Sequence, residues 1–327
     1  MNNIHGNRMN IDLLEPHGSG FVAHHGQDFL LARDQWSQML YMTYGPDGQV
    51  WVIDWYDMQQ CHLKDVSKHD RSNGRIYRIA YDNAKPVKVD LAKMSNDELA
   101  KLLLHDNHWY RRHAQRVFQE RASQAAFEMA QYTSAVRPLL VDERGDESRL
   151  IQVDTVMDVV FDTYSATHET NRDSIQRVTS RQINGLGSFP EYPHVEANVL
   201  QAIGGRLKDL APNTRSSAIA ATAKLAANGS SPIVRLSIAS FLLELAPDER
   251  WTVIESLAAH PEDATDHNLP LMYWYAMEPL ADVDPARALA LAIKAGENIP
   301  ILKEYMIRRI GAGDPAKSLD LLVAGLS

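Results

Sequence analysis

What most constrains this chain is a change in the spacing of its apolar residues near position 85. Ahead of that point, short apolar runs (Ile11 to Leu14, Gly20 to Ala23, Phe29 to Ala32, Met39 to Thr43) are separated by Gly, His and Asp. Runs of that length between turn residues are strands. The turn Gly45-Pro46-Asp47-Gly48 then feeds an alternating strand through Val50, Val52 and Asp54, and Arg75 to Tyr81 makes another. Behind position 85 the apolar residues recur at three and four, the period of a helix packed along one side. The expected fold class is β then α.

The stretch from Gly45 to Ile79 reads as the last blade of a β-propeller: a tight turn, an alternating strand, a polar excursion and a returning strand. With the earlier runs it supplies roughly one to one and a half four-stranded blades, where a closed ring needs about four to eight. The expectation is a partial propeller over residues 1–85. It would begin partway round a ring, with Met1 internal to a longer ancestral protein, and would leave sheet edges and apolar faces open.

Asp82 to Val89, with Pro86, serves as the linker to a helical region over 90–327. Ser95 opens a helix with Glu98 three residues on, the reciprocal arrangement in which each side chain satisfies a backbone N–H that the helix leaves unpaired. Leu99, Leu102 and Leu103 give it one apolar side, and Trp109, His113, Val117 and Phe118 do the same for the next helix. SSPIVRLSIASFLLELA repeats the layout of DNHWYRRHAQRVFQE, with Arg235 standing where Arg111 does. Self-similarity of this kind marks an α-solenoid of HEAT-like helix pairs. Further helices are expected from Trp251 to His260, Leu269 to Leu280, Ala286 to Ala295 and Ile301 to Ile310. Asp284-Pro285 and Asp314-Pro315 each place a capping side chain before a proline at the first helical position. The window 150–209 mixes β-branched runs with Gly, Pro and Ser, and is expected to be irregular or poorly ordered.

A formal net charge of -9 argues against a nucleic-acid surface, which would want a clustered positive field. The single cysteine, Cys61, excludes an intrachain disulfide and a cysteine-based zinc site. No window is long and apolar enough to span a membrane, and the first 25 residues lack the basic start and apolar run of a signal peptide.

NNIHGNRMN, GPDGQVWVIDWYDMQQCH, HDRSNGRIYRI, NHWYRRHAQRVFQER, SPIVRLSIASFLLEL and DHNLPLMYWYAMEPL, in this order and over about two thirds of the chain, carry a family resemblance. They resemble the planctomycete and verrucomicrobial (PVC-type) group of large secreted proteins labelled membrane-bound dehydrogenases or haem-binding proteins. The architecture of that group is a quinoprotein-like propeller, then HEAT repeats, then a cytochrome c domain with Cys-x-x-Cys-His. The resemblance implies a dehydrogenase of the sugar or alcohol type passing electrons to haem. Its cofactors would be haem with a quinone or divalent metal, and its address secreted or periplasmic. Most of the propeller, the cytochrome and the secretion signal have no counterpart here, since Met58-Gln59-Gln60-Cys61-His62 offers one thiol where that motif needs two. The expectation is therefore a fragment or shortened reading frame that does not catalyse alone. Its helical part would act as scaffold, and its partner would be the missing propeller and cytochrome portion or another protein held by the solenoid.

Six of the thirteen histidines (His5, His17, His24, His25, His62, His69) fall in the first quarter of the chain, among Asp28, Asp54, Asp57 and Asp70. One reading brings Asp54, Asp57, His62, His69 and Asp70 onto the propeller face, with His62, His69 and Asp57 as ligands of a divalent metal or as general acids and bases. The other has Asp54 and Asp57 capping the strand end, Asp70 and Asn73 shaping the turn before Gly74, and the histidines bonding locally. Cys61 beside His62 reads either as an activated thiolate or as a buried structural thiol. Arg111, Arg112, Arg116 and Arg121 read as a solvated or ion-paired helix face, to be paired with Glu98, Asp106 and Glu120. Met272 to Tyr275 cover all sides of their helix and read as core, with Asp266, His267 and Asn268 at its start.

Overall fold

The computed structural model describes residues 1–3, 5–58, 64–139, 146–168, 172–229, 231–313 and 315–326. Strands come first and helices follow, and the chain divides into two compact units: Met1–Glu15 with Phe21–Arg137, and Pro16–Gly20 with Pro138–Ser327.

The strands form three small sheets, in the first unit but for the Pro16–Gly20 tip of the second sheet. One has the order β1 (Asn2–Asn3), β2 (Arg8–Met9), β5 (Leu30–Leu31), and a second pairs β3 (Asp12–His17) with β4 (Gly20–His25). The third is a meander of consecutive strands, β6 (Met39–Tyr44), β7 (Val50–Asp54) and β8 (Arg75–Ile79). The turn between β6 and β7 is closed by Gly48 N–H to Gly45 O at 3.0 Å and Gly45 N–H to Gln49 O at 3.1 Å. Gly48 sits there at φ 75°, a left-handed conformation that a Cβ would strain. The inner face of this sheet packs Val52, with Val50 and Ile79, against Met9 and Met39.

Three helices complete the first unit: α1 (Asn96–Leu102), α2 (His108–Ala122) and α3 (Met129–Val136). The capping box at the start of α1 is formed, with Ser95 N–H donating to Glu98 at 2.7 Å and Glu98 N–H to Ser95 Oγ at 3.3 Å. Leu99, Leu103, Ala114 and Phe118 are buried, and Phe118 meets Tyr132 of α3 edge-on at 4.9 Å between centroids. Asn107 caps α2 by accepting from Trp109 N–H at 2.9 Å, and donates to Gly45 O at 3.0 Å. Arg112 lies over the Tyr44 ring at 5.0 Å. These contacts tie helices to strands, so the unit extends past the change of period near residue 85.

The second unit contains α4 (Glu147–Thr167), α5 (Arg172–Gly185), α6 (Pro193–Arg206), α7 (Pro212–Ala227), α8 (Pro232–Leu243), α9 (Trp251–Leu257) and α10 (Leu269–Met277). It continues through α11 (Leu280–Val283), α12 (Pro285–Ala295), α13 (Pro300–Gly311) and α14 (Pro315–Leu326). From α4 to α10 each helix packs on the one two places ahead, which makes two interleaved rows: α4, α6, α8, α10 and α5, α7, α9. Asp284 caps α12 by accepting from Arg287 N–H at 3.0 Å, ahead of Pro285. Asp314 lies outside the described residues.

The window 150–209 is mostly helical where it is described, with a short connection over 186–192, contrary to the irregular stretch expected from its composition. Leu150, Val153, Val156 and Val160 are buried along one side of α4 at spacings of three and four, so the helical period was present beneath the β-branching. Thr163 and Thr167 donate their hydroxyls back to Val159 O and Thr163 O, each at 2.8 Å. Helix propensity is a weak preference that packing overrides. Gly187, at φ 82°, and Pro190 stand between α5 and α6, and Pro193 opens α6; they punctuate helices rather than replace them.

Buried arginines link successive helices. Arg235 of α8 reaches Asp263 with Nε at 2.7 Å and Nη2 at 2.5 Å, and the Tyr273 hydroxyl of α10 donates to the same carboxylate at 2.7 Å. Burial and that carboxylate raise the Tyr273 pKa well above its ordinary value. Arg215 of α7, half-buried, makes a two-pronged contact with Glu249 at 2.7 and 2.6 Å. Arg235→Ala, which strands a buried aspartate, is expected to cost ~3–5 kcal/mol in urea unfolding followed by helical circular dichroism. Arg308→Ala, which removes an exposed pair with Glu304, is expected to cost under about 0.5 kcal/mol.

Candidate functional site

The aspartates singled out in the sequence lie at the end of β7 and in the segment leading to β8. Asp54 is buried and accepts from Gln38 N–H at 2.7 Å, Ser37 Oγ at 2.9 Å and Tyr56 N–H at 3.1 Å. It thereby pins the start of β6 to the end of β7. Asp57, also buried, accepts from Asp70 N–H at 2.8 Å, while its own carbonyl takes the Gln38 side-chain amide. Asp70 turns the other way and accepts from Ser72 N–H at 2.9 Å, Ser72 Oγ at 2.5 Å and Asn73 Nδ2 at 2.7 Å. These bonds to the ionised carboxyl hold the Asp70 pKa below the usual carboxylate range. Asp54 thus joins β6 to β7, Asp57 accepts from the segment before β8, and Asp70 shapes the turn at Ser72 and Asn73. His69 donates its backbone N–H to Val66 O at 3.3 Å, and His62 and Cys61 lie outside the described residues. Among the described residues, no group of three or more His, Cys, Asp or Glu side chains is placed to hold a metal ion.

The other polar sets disperse. His24 approaches Glu15 at 3.1 Å, and His25 lies between Asp12 at 3.7 Å and Asp28 at 3.5 Å. The four arginines of α2 go four ways: Arg111 to His105 O, Arg112 over Tyr44, Arg116 to Glu120 at 2.7 Å, and Arg121 to Asn96 Oδ1 at 2.7 Å. Tyr273 is buried and Trp274 meets Tyr305 edge-on at 5.4 Å, but Tyr275 is exposed, so α10 is covered on most sides rather than all. Asp266 begins α10 as expected, accepting from Asn268 and Leu269 N–H at 2.9 and 3.0 Å.

Around Asp54 the structure adds residues the sequence reading passed over. Asp34 accepts from Trp36 N–H and from the Tyr56 hydroxyl, each at 3.0 Å, and Arg75 lies 3.3 Å over the Tyr56 ring. The Asp-x-Trp-Ser spacing at 34–37, a carboxylate two residues before an accepting turn, was the available signal.

The outer face of the β6–β7–β8 sheet presents an apolar surface. Tyr41, Ile53 and Ile76 are cross-strand partners in one row, and Thr43, Trp51 and Arg78 form the next row on the same face. Tyr41 is 61 % exposed and Ile76 70 %, and Ile53 and Trp51 are also exposed. Scattered exposed apolar residues need no explanation, whereas here exposed apolar side chains adjoin one another across three strands. Trp, Tyr and Arg are also the residue types enriched where proteins meet.

In the second unit, Asp154, Asp158 and Asp162 stand at four-residue spacing on α4 against a single buried cation, Arg206 of α6. Arg206 donates to Asp158 at 2.7 Å, Asp162 at 2.8 Å and Gln182 Oε1 at 2.8 Å, whereas Asp154 receives Asn198 Nδ2 at 2.8 Å. Burial, reinforced by the negative charge of Asp158, pushes the Asp154 pKa up to about 6. The signal was legible as a four-residue acidic ladder, hidden inside the window set aside as irregular.

The family described as a domain of unknown function (DUF7133) matches residues 6–83, the strand-rich part of the chain. No curated protein and no solved structure matches. No helix among the described residues is long and apolar enough to cross a membrane.

Two measurements check these assignments. Asp54→Ala leaves three donors without their acceptor and is expected to cost roughly 3 kcal/mol or more in denaturant unfolding. Asp70→Ala, which loosens an exposed turn, should barely move the midpoint. For Asp154 the folded pKa exceeds the unfolded one, so the native state binds the extra proton between about pH 4 and 6, and stability falls as pH rises through that window. Asp154→Asn should therefore be more stable than the parent at pH 8, by at most about 3 kcal/mol, and nearly equal to it at pH 4.

Proposed function

We propose that this chain is an interaction scaffold for a dehydrogenase of the sugar or alcohol type rather than a catalyst in its own right. On this reading the β6–β7–β8 meander is a propeller blade, the two helical rows are a HEAT-like solenoid, and haem-linked oxidation takes place in a partner that supplies the remaining propeller and the cytochrome. The observation that carries the reading is the uncovered row Tyr41, Ile53, Ile76 on a sheet whose other face already has its core. Propeller blades bury both faces against neighbouring blades, so a face of this composition suits a sheet-bearing partner. The bonds that Asp54 and Asp70 accept from backbone N–H groups support a structural role for these two carboxylates.

The test uses the purified chain with an artificial electron acceptor, sugars and alcohols, together with an apolar dye that fluoresces on exposed hydrophobic surface. Turnover should be absent. The double variant Ile53→Lys with Ile76→Lys should lose several-fold of the dye signal while keeping its helical circular dichroism. Turnover by the chain alone, or an unchanged dye signal, would contradict the proposal.

A further inference from the structure

The outer edge of β8 differs from the face beside it. β7 occupies one side of β8 in an unbroken register from Asp54↔Arg75 to Val50↔Ile79, and among the described residues no strand pairs with the other side. Arg75 to Arg78 are all exposed. Exposed edges are commonly blunted by proline, a bulge, an extremely short strand or charged side chains. β8 has only the last of these: it is five residues long and regular, and the charges of Arg75 and Arg78 flank Ile76 and Tyr77.

Charge decides which strand such an edge accepts. From Lys64 to Arg78 the chain carries five basic side chains against Asp65 and Asp70, in a protein whose formal net charge is -9. Arg75 contacts the Tyr56 ring and, at 3.3 Å, the Tyr77 hydroxyl, and no carboxylate pairs with it among the described residues. Arg78 lies 6.0 Å from the Trp51 ring centroid and 3.9 Å from Asp47. A second copy of this chain would bring the same positive stretch against itself, and like charges opposite one another on paired strands are unfavourable. The positive stretch favours a strand of the opposite sign over a second copy.

We infer that β8 is extended by a strand from a partner protein in which acidic residues alternate with apolar ones, its backbone pairing with Arg75–Ile79, its carboxylates sharing one face with Arg75, and its apolar side chains on the other face beside Ile76. This rests on the interaction-scaffold reading and adds the chemistry of the partner. Main-chain pairing at a sheet edge supplies affinity, and the alternating side chains supply selection.

The experiment measures amide hydrogen exchange in the full chain with two blocked hexapeptides, one alternating glutamate with valine and one alternating lysine with valine. The glutamate peptide at about ten times its dissociation constant should slow exchange within Arg75–Ile79 by about tenfold, and the lysine peptide should not. The protection should weaken in 1 M salt, where charges are screened within about 3 Å. The double variant Arg75→Glu with Arg78→Glu should reverse the preference, and protection by the lysine peptide would itself show that the variant is folded. Equal protection by both peptides, or no reversal, would overturn the charge preference while leaving the scaffold reading intact. Protection by neither would overturn this inference and remove support from that reading as well.

Discussion

A three-stranded sheet has two faces, and the first unit builds a core on only one of them. Val52, Val50 and Ile79 point toward Met9 and Met39, so alternation along β7 and β8 puts Ile53 and Ile76 on the opposite side, and a register shift between Met39 and Tyr41 sets Tyr41 beside Ile53. The register cannot slip to relieve this. A shift of one residue would exchange the faces, and Asp54 fixes the pairing by gripping the start of β6 from the end of β7. The buried carboxylate and the exposed row are thus two consequences of one constraint, and the scaffold reading is a proposal built on the second.

The helical unit solves its burial problem differently. Its two rows present each helix to two neighbours, so the apolar sides of α6, α8 and α10 close on one another within a single extended core. Arginines then fix how the helices meet: Arg235 through Asp263 and Tyr273, Arg215 through Glu249, and Arg206 through the acidic ladder of α4. A buried ion pair is weak support for overall stability but strongly penalises misalignment, because displacement strands a charge away from water. The ladder on α4 is the imperfect member of the set, with three carboxylates for one guanidinium, and so it is where pH acts on the fold.

The strands were legible because turn residues bracket them: Gly45 to Gly48 and Ser72 to Gly74 delimit β7 and β8 almost to the residue. The helices with capping signals, at Ser95 and Asp284, were equally clear. α4 to α6 were hidden because valine and threonine are residues of strands as well as helices, and only the buried series Leu150, Val153, Val156, Val160 distinguishes the two. In the candidate site, the choice of residue types read correctly as polar and clustered, but sequence could not tell a carboxylate aimed at a ligand from one aimed at a backbone N–H. For Asp54 that difference lies in Ser37 and Gln38, sixteen or seventeen positions away, which strand pairing alone brings near.

The most direct measurement is oxidative footprinting of tyrosines in the isolated chain, which reports side-chain access residue by residue. An uncovered outer face requires Tyr41 to react about as readily as exposed Tyr275, while buried Tyr273 stays protected. Protection of Tyr41 to the level of Tyr273 would mean that the chain covers this face itself, and the account of it as a surface awaiting a partner would be wrong.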